Sequence, residues 1–294
     1  TYLAANLPIA NIGKVDNKGY ELSVNWRDRI HDFRYHIGFN LAYAKNKIVF
    51  QDEVPYPYDY MRKTGKPVGQ QMGYKYDGFF SEEDVAKYET ERGKSIPDHG
   101  TGYIPKPGDV KYKDLNNDHK IDQYDVAAIG YPVYPLLTGG INLGFSYKGF
   151  DFSMTWSGAT KVSRLLDDIF REPFGATDSR SLMKYMIDDM WTPEKGNSAK
   201  APAISFTNKV NNYRDSDLWL RDASYLRLKN VEIGYNFPKK ILSKINIGSL
   251  RVFATGYNLL TLDKLKIVDP ESRPNGNAMY PVVMVINMGL KVGF

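Results

Sequence analysis

Apolar and polar residues alternate one by one over long stretches of the chain. In the terminal run YPVVMVINMGLKVGF (280–294), Tyr280, Val282, Met284, Ile286, Met288, Leu290, Val292 and Phe294 share one parity, and Asn287, Gly289, Lys291 and Gly293 hold the other. A period of two sends neighbouring side chains to opposite faces, so this run is a strand with one apolar face. YELSVNW sets Tyr20, Leu22, Val24 and Trp26 against Glu21, Ser23 and Asn25, and FRYHIGFNLAY sets Phe33, Tyr35, Ile37, Phe39, Leu41 and Tyr43 against Arg34, His36, Gly38, Asn40 and Ala42. INLGFSYKGFDFSMTW reads as a hairpin, with Ile141 to Tyr147 and Phe150 to Trp156 alternating on either side of a Lys148-Gly149 turn. Weaker alternation predicts two more strands, roughly Ala223 to Phe237 and Gly248 to Leu259.

Alternation alone does not distinguish a soluble sandwich, whose apolar face points inward, from a membrane barrel, whose apolar face meets lipid. The runs often reach the roughly nine to eleven residues that a spanning strand needs, whereas soluble strands average about five or six. Connections decide further. Short turns are expected at Arg27 to Asp32, Lys148-Gly149 and Phe237 to Gly248, and long excursions at about 51–134, 160–222 and 260–279. Short and long alternate strictly, as in outer-membrane barrels with tight periplasmic turns and long outer loops. GQQMGYKYDGFF (69–80) would break that parity as a spanning strand, so it is placed inside the first excursion. The expected fold is therefore all-β: an antiparallel transmembrane β-barrel segment of seven spanning strands with long, partly helical extracellular loops. Helix starts are read at Ser81, with Asp84 at the reciprocal capping position, and in SRLLDDIF (163–170) and SLMKYMIDDMW (181–191). Seven is odd and closed bacterial barrels have even numbers, so residues 1–294 are expected to be the C-terminal part of a larger barrel.

Composition fits this picture. Of the 294 residues 42% are hydrophobic, enough for a folded protein, yet mean hydropathy is −0.46 and no apolar run approaches a spanning helix. The 22 Tyr, 14 Phe and 4 Trp suit strands and interfacial girdles. Zero cysteines argue against disulfide or thiolate chemistry, and a net charge of +5 with scattered Lys and Arg argues against nucleic-acid binding. The four histidines lack metal-hydrolase spacing, and no nucleophile elbow or phosphate loop is present, so no enzyme is expected.

One stretch carries metal chemistry. In DLNNDHKIDQYD, Asp114, Asn116, Asp118, the Lys120 carbonyl, Asp122 and Asp125 occupy positions 1, 3, 5, 7, 9 and 12 of a calcium loop, with Ile121 at the apolar eighth position. Two departures count against it: His119 stands where Gly makes the sharp turn, and Asp125 replaces the longer bidentate Glu. The competing reading is a solvated acidic loop held by Asx turns. The tyrosines of PYPYDY (55–60) and GYKYDGFF (73–80) could stack on sugar rings, or pack loop against loop.

Five stretches, NKGYELSVNWRD (17–28), PGDVKYKDLNNDHKID (107–122), GGINLGFSYKGFDFSMTWSG (139–158), WLRDASYLRLKNVEIGYNFPKK (219–240) and GYNLLTLDKLKIVDPES (256–272), together resemble the C-terminal barrel region of the SusC/RagA family of TonB-dependent outer-membrane transporters. The resemblance implies a parent protein with an N-terminal plug inside a barrel of about twenty-two strands. It also implies a SusD-like surface lipoprotein as partner, TonB acting through a preceding region, and glycan or peptide cargo in the outer membrane of a Gram-negative, Bacteroidetes-like cell. A structural or adhesive barrel with calcium-ordered loops and no transport role is the alternative, and a soluble β-rich binding protein a third.

Overall fold

The computed structural model describes residues 12–174, 181–272 and 282–294. Seven long strands, β1 (Lys14–Ile30), β2 (Phe33–Phe50), β3 (Leu137–Tyr147), β4 (Phe150–Thr160), β5 (Tyr225–Asn236), β6 (Ser249–Asp263) and β7 (Val285–Gly293), form one antiparallel sheet in chain order. β1 and β7 are its two edges and do not pair with each other, so the sheet is an open segment of wall. Strand lengths from 9 to 18 residues are sufficient to span a bilayer. Tyr280 and Pro281, at the head of the terminal run, and residues 273–279 of the third excursion lie outside the described residues.

Register carries one apolar face across all seven strands, because residues directly opposite in a ladder share a face. Trp26 meets Ile37, Ile37 meets Leu143, Leu143 meets Met154, Met154 meets Val231, Val231 meets Gly256, and Gly256 meets Ile286. The next row sets Val24, Phe39, Ile141 and Trp156 side by side. Among the described residues nothing covers this face: Leu22 is 50%, Trp26 59% and Ile286 62% exposed. A soluble sandwich would bury such a face against a second sheet, and among the described residues no second sheet lies over it. Near the short connections the same face carries a belt of rings, with Phe33 5.5 Å from Phe145, Phe145 5.4 Å from Phe152, and Tyr235 5.0 Å from Phe237. Such girdles mark the lipid–water boundary of barrels. Lys148 and Gly149, with φ of 45° and 91°, make the tight turn between β3 and β4.

The opposite face is polar. Arg251 on β6 bridges Asp151 on β4 and Glu232 on β5, both at 2.6 Å, and Thr155 donates to Asn142 across β3 and β4. Gly144 lies under the ring of His36, where an added Cβ would come within 2.2 Å of an imidazole carbon.

The molecule's hydrophobic core lies in the excursions, which are far from formless. Phe79, Val110, Tyr112 and Ile121 from the first pack with Leu166, Ala201, Tyr213, Leu218 and Trp219 from the second, and Leu265 from the third completes the cluster. Gln71–Gly73 pairs with Ala127–Ile129 and Tyr76–Phe79 with Val110–Tyr112, so the 69–80 stretch is indeed internal to the first excursion. Helix α1 (Glu82–Glu91) starts at Ser81 with the reciprocal cap formed: Asp84 N–H donates to Ser81 Oγ, and Ser81 N–H to Asp84 Oδ2. The 163–170 helix is corrected. Ser163–Leu165 is a short strand paired with Leu220–Asp222, and only Asp168–Arg171 is helical, because strand pairing there outweighs the helix-like spacing. In the 181–191 stretch helix is confined to Lys184–Asp189.

Candidate functional site

The polar face and the loop assembly meet at the long-loop end. A register shift between Leu228 and Asn230 bulges β5 at Lys229, which lets Arg227 and Lys229 both reach the same acid on the polar side. Arg227, 2% exposed, donates to Thr261 Oγ1 at 2.9 Å and pairs with Asp269 at 2.7 Å and with Glu271. Lys229 and the Tyr225 hydroxyl also reach Glu271, at 2.7 and 2.9 Å. The third excursion is thus tied down over the polar wall by charge-assisted contacts, Arg227 joining two carboxylates and Lys229 touching both oxygens of Glu271. Sequence reading missed this clamp. Its signal was present, a basic LRLK on a strand and an acidic DPE in the next loop, but nothing in the spacing linked them.

A second polar centre joins the first two excursions. Asp109, 0% exposed, accepts from Lys106 N–H at 2.7 Å, from Asn212 Nδ2 at 2.6 Å, from Asn208 Nδ2 and from the Tyr103 hydroxyl. Asn212 Oδ1 accepts from Val110 N–H at 2.9 Å, and its carbonyl from Trp219 Nε1 at 3.0 Å. His99 stacks on Tyr103 at 5.2 Å and contacts Asn211 through Nδ1. Burial pulls His99 down to about 4, against the pull of the Asn211 contact, so it is neutral at physiological pH.

The predicted calcium-loop residues lie in one loop of the first excursion, exposed at Asp118 and Lys120 and buried at Asp125. Asp114 accepts from the N–H groups of Asn117 and His119, both at 2.7 Å, and Asp118 accepts from Lys120 N–H at 2.9 Å. Asn116 donates to Asp118, and Asp122 caps Tyr124. Asp125 is fully buried and accepts from Leu115 and Asp122 N–H at 2.7 and 2.8 Å. Burial pushes its carboxyl up, opposed by those two hydrogen bonds and helped by Asp114 and Asp122 nearby. His119 adopts φ 62°, the conformation Gly would supply. Among the described residues no three His, Cys, Asp or Glu side chains stand as a ready metal cage. The donor set of four carboxylates, one amide and one carbonyl nevertheless suits a hard cation.

The tyrosine clusters pack inward. Tyr58 stacks on Tyr60 at 5.3 Å, Tyr60 donates to the Tyr124 carbonyl, and Tyr74 lies on Tyr112 under the Arg214 guanidinium.

A one-faced sheet with a girdle of rings, a polar inner wall and roofed-over long loops is the class of an outer-membrane β-barrel segment. No family model matches the chain. It is 29% identical over its full length to TonB-dependent receptor P3 of Formosa agariphila, and 26% identical, over 97% of its length, to TonB-dependent receptor SusC of Bacteroides thetaiotaomicron. The chain spans about 30% of the length of the first of these relatives and 27% of the second. A solved structure of the RagAB peptide transporter matches 96% of the chain, and 29% of its own length, with a TM-score of 0.71 at 22% identity, which shows the same fold. The chain is therefore similar over its whole length to TonB-dependent receptors, SusC among them, and shares the fold of the matching part of the RagAB transporter. These relatives are named as receptors, and the structural neighbour as a peptide transporter.

Proposed function

We propose that residues 1–294 are the C-terminal part of a TonB-dependent outer-membrane transporter that imports glycans or other large nutrients, peptides included. In this reading the excursions 51–134 and 160–222 face the cell exterior and meet a SusD-like lipoprotein, while TonB acts through a region preceding the chain. The carrying observation is the pairing of a lipid-facing apolar wall with a polar wall over which the third excursion is clamped through Arg227, Asp269 and Glu271. A polar lumen beneath ordered loops suits passage of a hydrated cargo. Deleting the gene should abolish energy-dependent uptake of one glycan or peptide class, restored by the wild-type copy and not in a strain lacking TonB. Unchanged growth on every class tested would instead favour a structural or adhesive barrel.

A calcium ion held by Asp114, Asn116, Asp118, the Lys120 carbonyl, Asp122 and Asp125 belongs to this proposal as a structural element. The turn at His119 and the calcium-loop spacing of the oxygen donors support it. Chelation should then raise protease cleavage within 110–126 severalfold while leaving the strands intact, and Asp118→Ala should do the same without chelator. Cleavage unaffected by either change would identify the turn as an acidic loop held by its own N–H groups.

A further inference from the structure

The lipid-facing side of β1 and β2 changes character at its long-loop end. Tyr20 and Tyr43 stack there at 5.3 Å, and the Lys161 ammonium lies 5.5 Å from the centre of the Tyr43 ring. One step further along the same face Lys18 stands opposite Lys45, and one step beyond that Lys47 stands opposite Asp16. All four lysines are exposed, and among the described residues none of them forms an ion pair. Lys18, Lys45, Lys47, Tyr20 and Tyr43 line a groove of about 860 Å³, whose far side is the segment from Arg62 to Gly65. That segment is fixed to the strand by Gly65 N–H donating to the Ile48 carbonyl at 2.8 Å, and Arg62 is already paired with Asp59. The ammonium groups of Lys18, Lys45 and Lys47 share the groove lining with the carboxylate of Asp16, while Glu53 behind the far side is held by the N–H groups of Lys63 and Thr64.

We propose that this groove binds the phosphate-bearing headgroup of an outer-leaflet glycolipid, whose acyl chains lie along the apolar face below. Barrel tyrosines sit at headgroup depth, which puts the lysines just beyond them, at the level of lipid phosphates. Lysine is a flexible point donor for phosphate, and unpaired cations beside a membrane favour anionic lipid. The groove is far larger than an inorganic anion, and the next rows of the same face, Leu22 opposite Leu41 and Val24 opposite Phe39, offer an apolar track that acyl chains fit. The leaflet assignment rests on the outward placement of the long loops proposed above.

The test uses the complete gene product, extracted in mild detergent and challenged with phosphorylated lipid A, with the same lipid after enzymatic dephosphorylation, and with inorganic phosphate. Native mass spectrometry should show the phosphorylated lipid retained roughly tenfold or more over the dephosphorylated form. The triple change Lys18→Ala, Lys45→Ala and Lys47→Ala should erase that preference, while the corresponding triple change to Arg keeps it; heat-resistant gel mobility checks that each variant is folded. Equal retention of both lipids, an unaltered triple Ala variant, or displacement by millimolar inorganic phosphate would overturn the lipid site. Protease added to intact cells checks the placement separately: cleavage within 51–134 supports the outer leaflet, and its absence there overturns that assignment and the loop placement of the transporter reading, whatever the retention assay gives.

Discussion

Leu143→Arg should destabilise the inserted barrel by about 2–4 kcal/mol, whereas Asn142→Arg, one residue away, should cost about 1 kcal/mol or less. Leu143 lies midway along β3 between Ile37 and Met154, on the face that meets lipid. A guanidinium there must sit in hydrocarbon or drag water to it. Asn142 is opposite Gly38 and Thr155 on the polar wall, where the same guanidinium is solvated and only the hydrogen bond from Thr155 is lost. The measurement is denaturant unfolding of the complete protein in lipid, read by gel mobility or tryptophan fluorescence. Equal penalties at the two positions would mean that the two faces are not lipid and lumen.

That contrast rests on a pattern visible in the chain itself. Alternation through Phe33 to Tyr43 and Ile141 to Trp156 reports which side of a strand each residue takes, because the period of two leaves no other arrangement. Order and pairing followed from the strict alternation of short and long connections, and the structure has the seven strands in chain order. What sequence could not convey was the interior of the loops. SRLLDDIF has helical spacing, yet Ser163–Leu165 pairs with Leu220–Asp222 more than fifty residues away, an interaction no local window contains. The Arg227 clamp and the Asp109 centre are invisible for the same reason: their partners come together only after the loops pack. The capping signal at Ser81 was legible because all of its atoms lie within four residues.

Asp109→Ala should loosen the roof formed by the first two excursions while leaving the barrel wall intact. The carboxylate is the common acceptor for Lys106 N–H, Asn208, Asn212 and Tyr103, and it is fully buried. Removing it leaves the buried Asn212 amide and three part-buried donors without this acceptor, a loss of about 1–3 kcal/mol. The damage should spread along defined contacts, since Asn212 also accepts from Val110 and Trp219, and Asn211 holds the Val110 carbonyl and His99. Hydrogen exchange should therefore rise by orders of magnitude at 103–112 and 208–219 and remain slow in β3 to β6. No strand of the wall contributes an atom to this centre, so heat-resistant gel mobility of the barrel should be unchanged. Exchange that stays slow in both loop segments would show that apolar packing around Trp219 and Tyr112 holds the roof without the buried carboxylate.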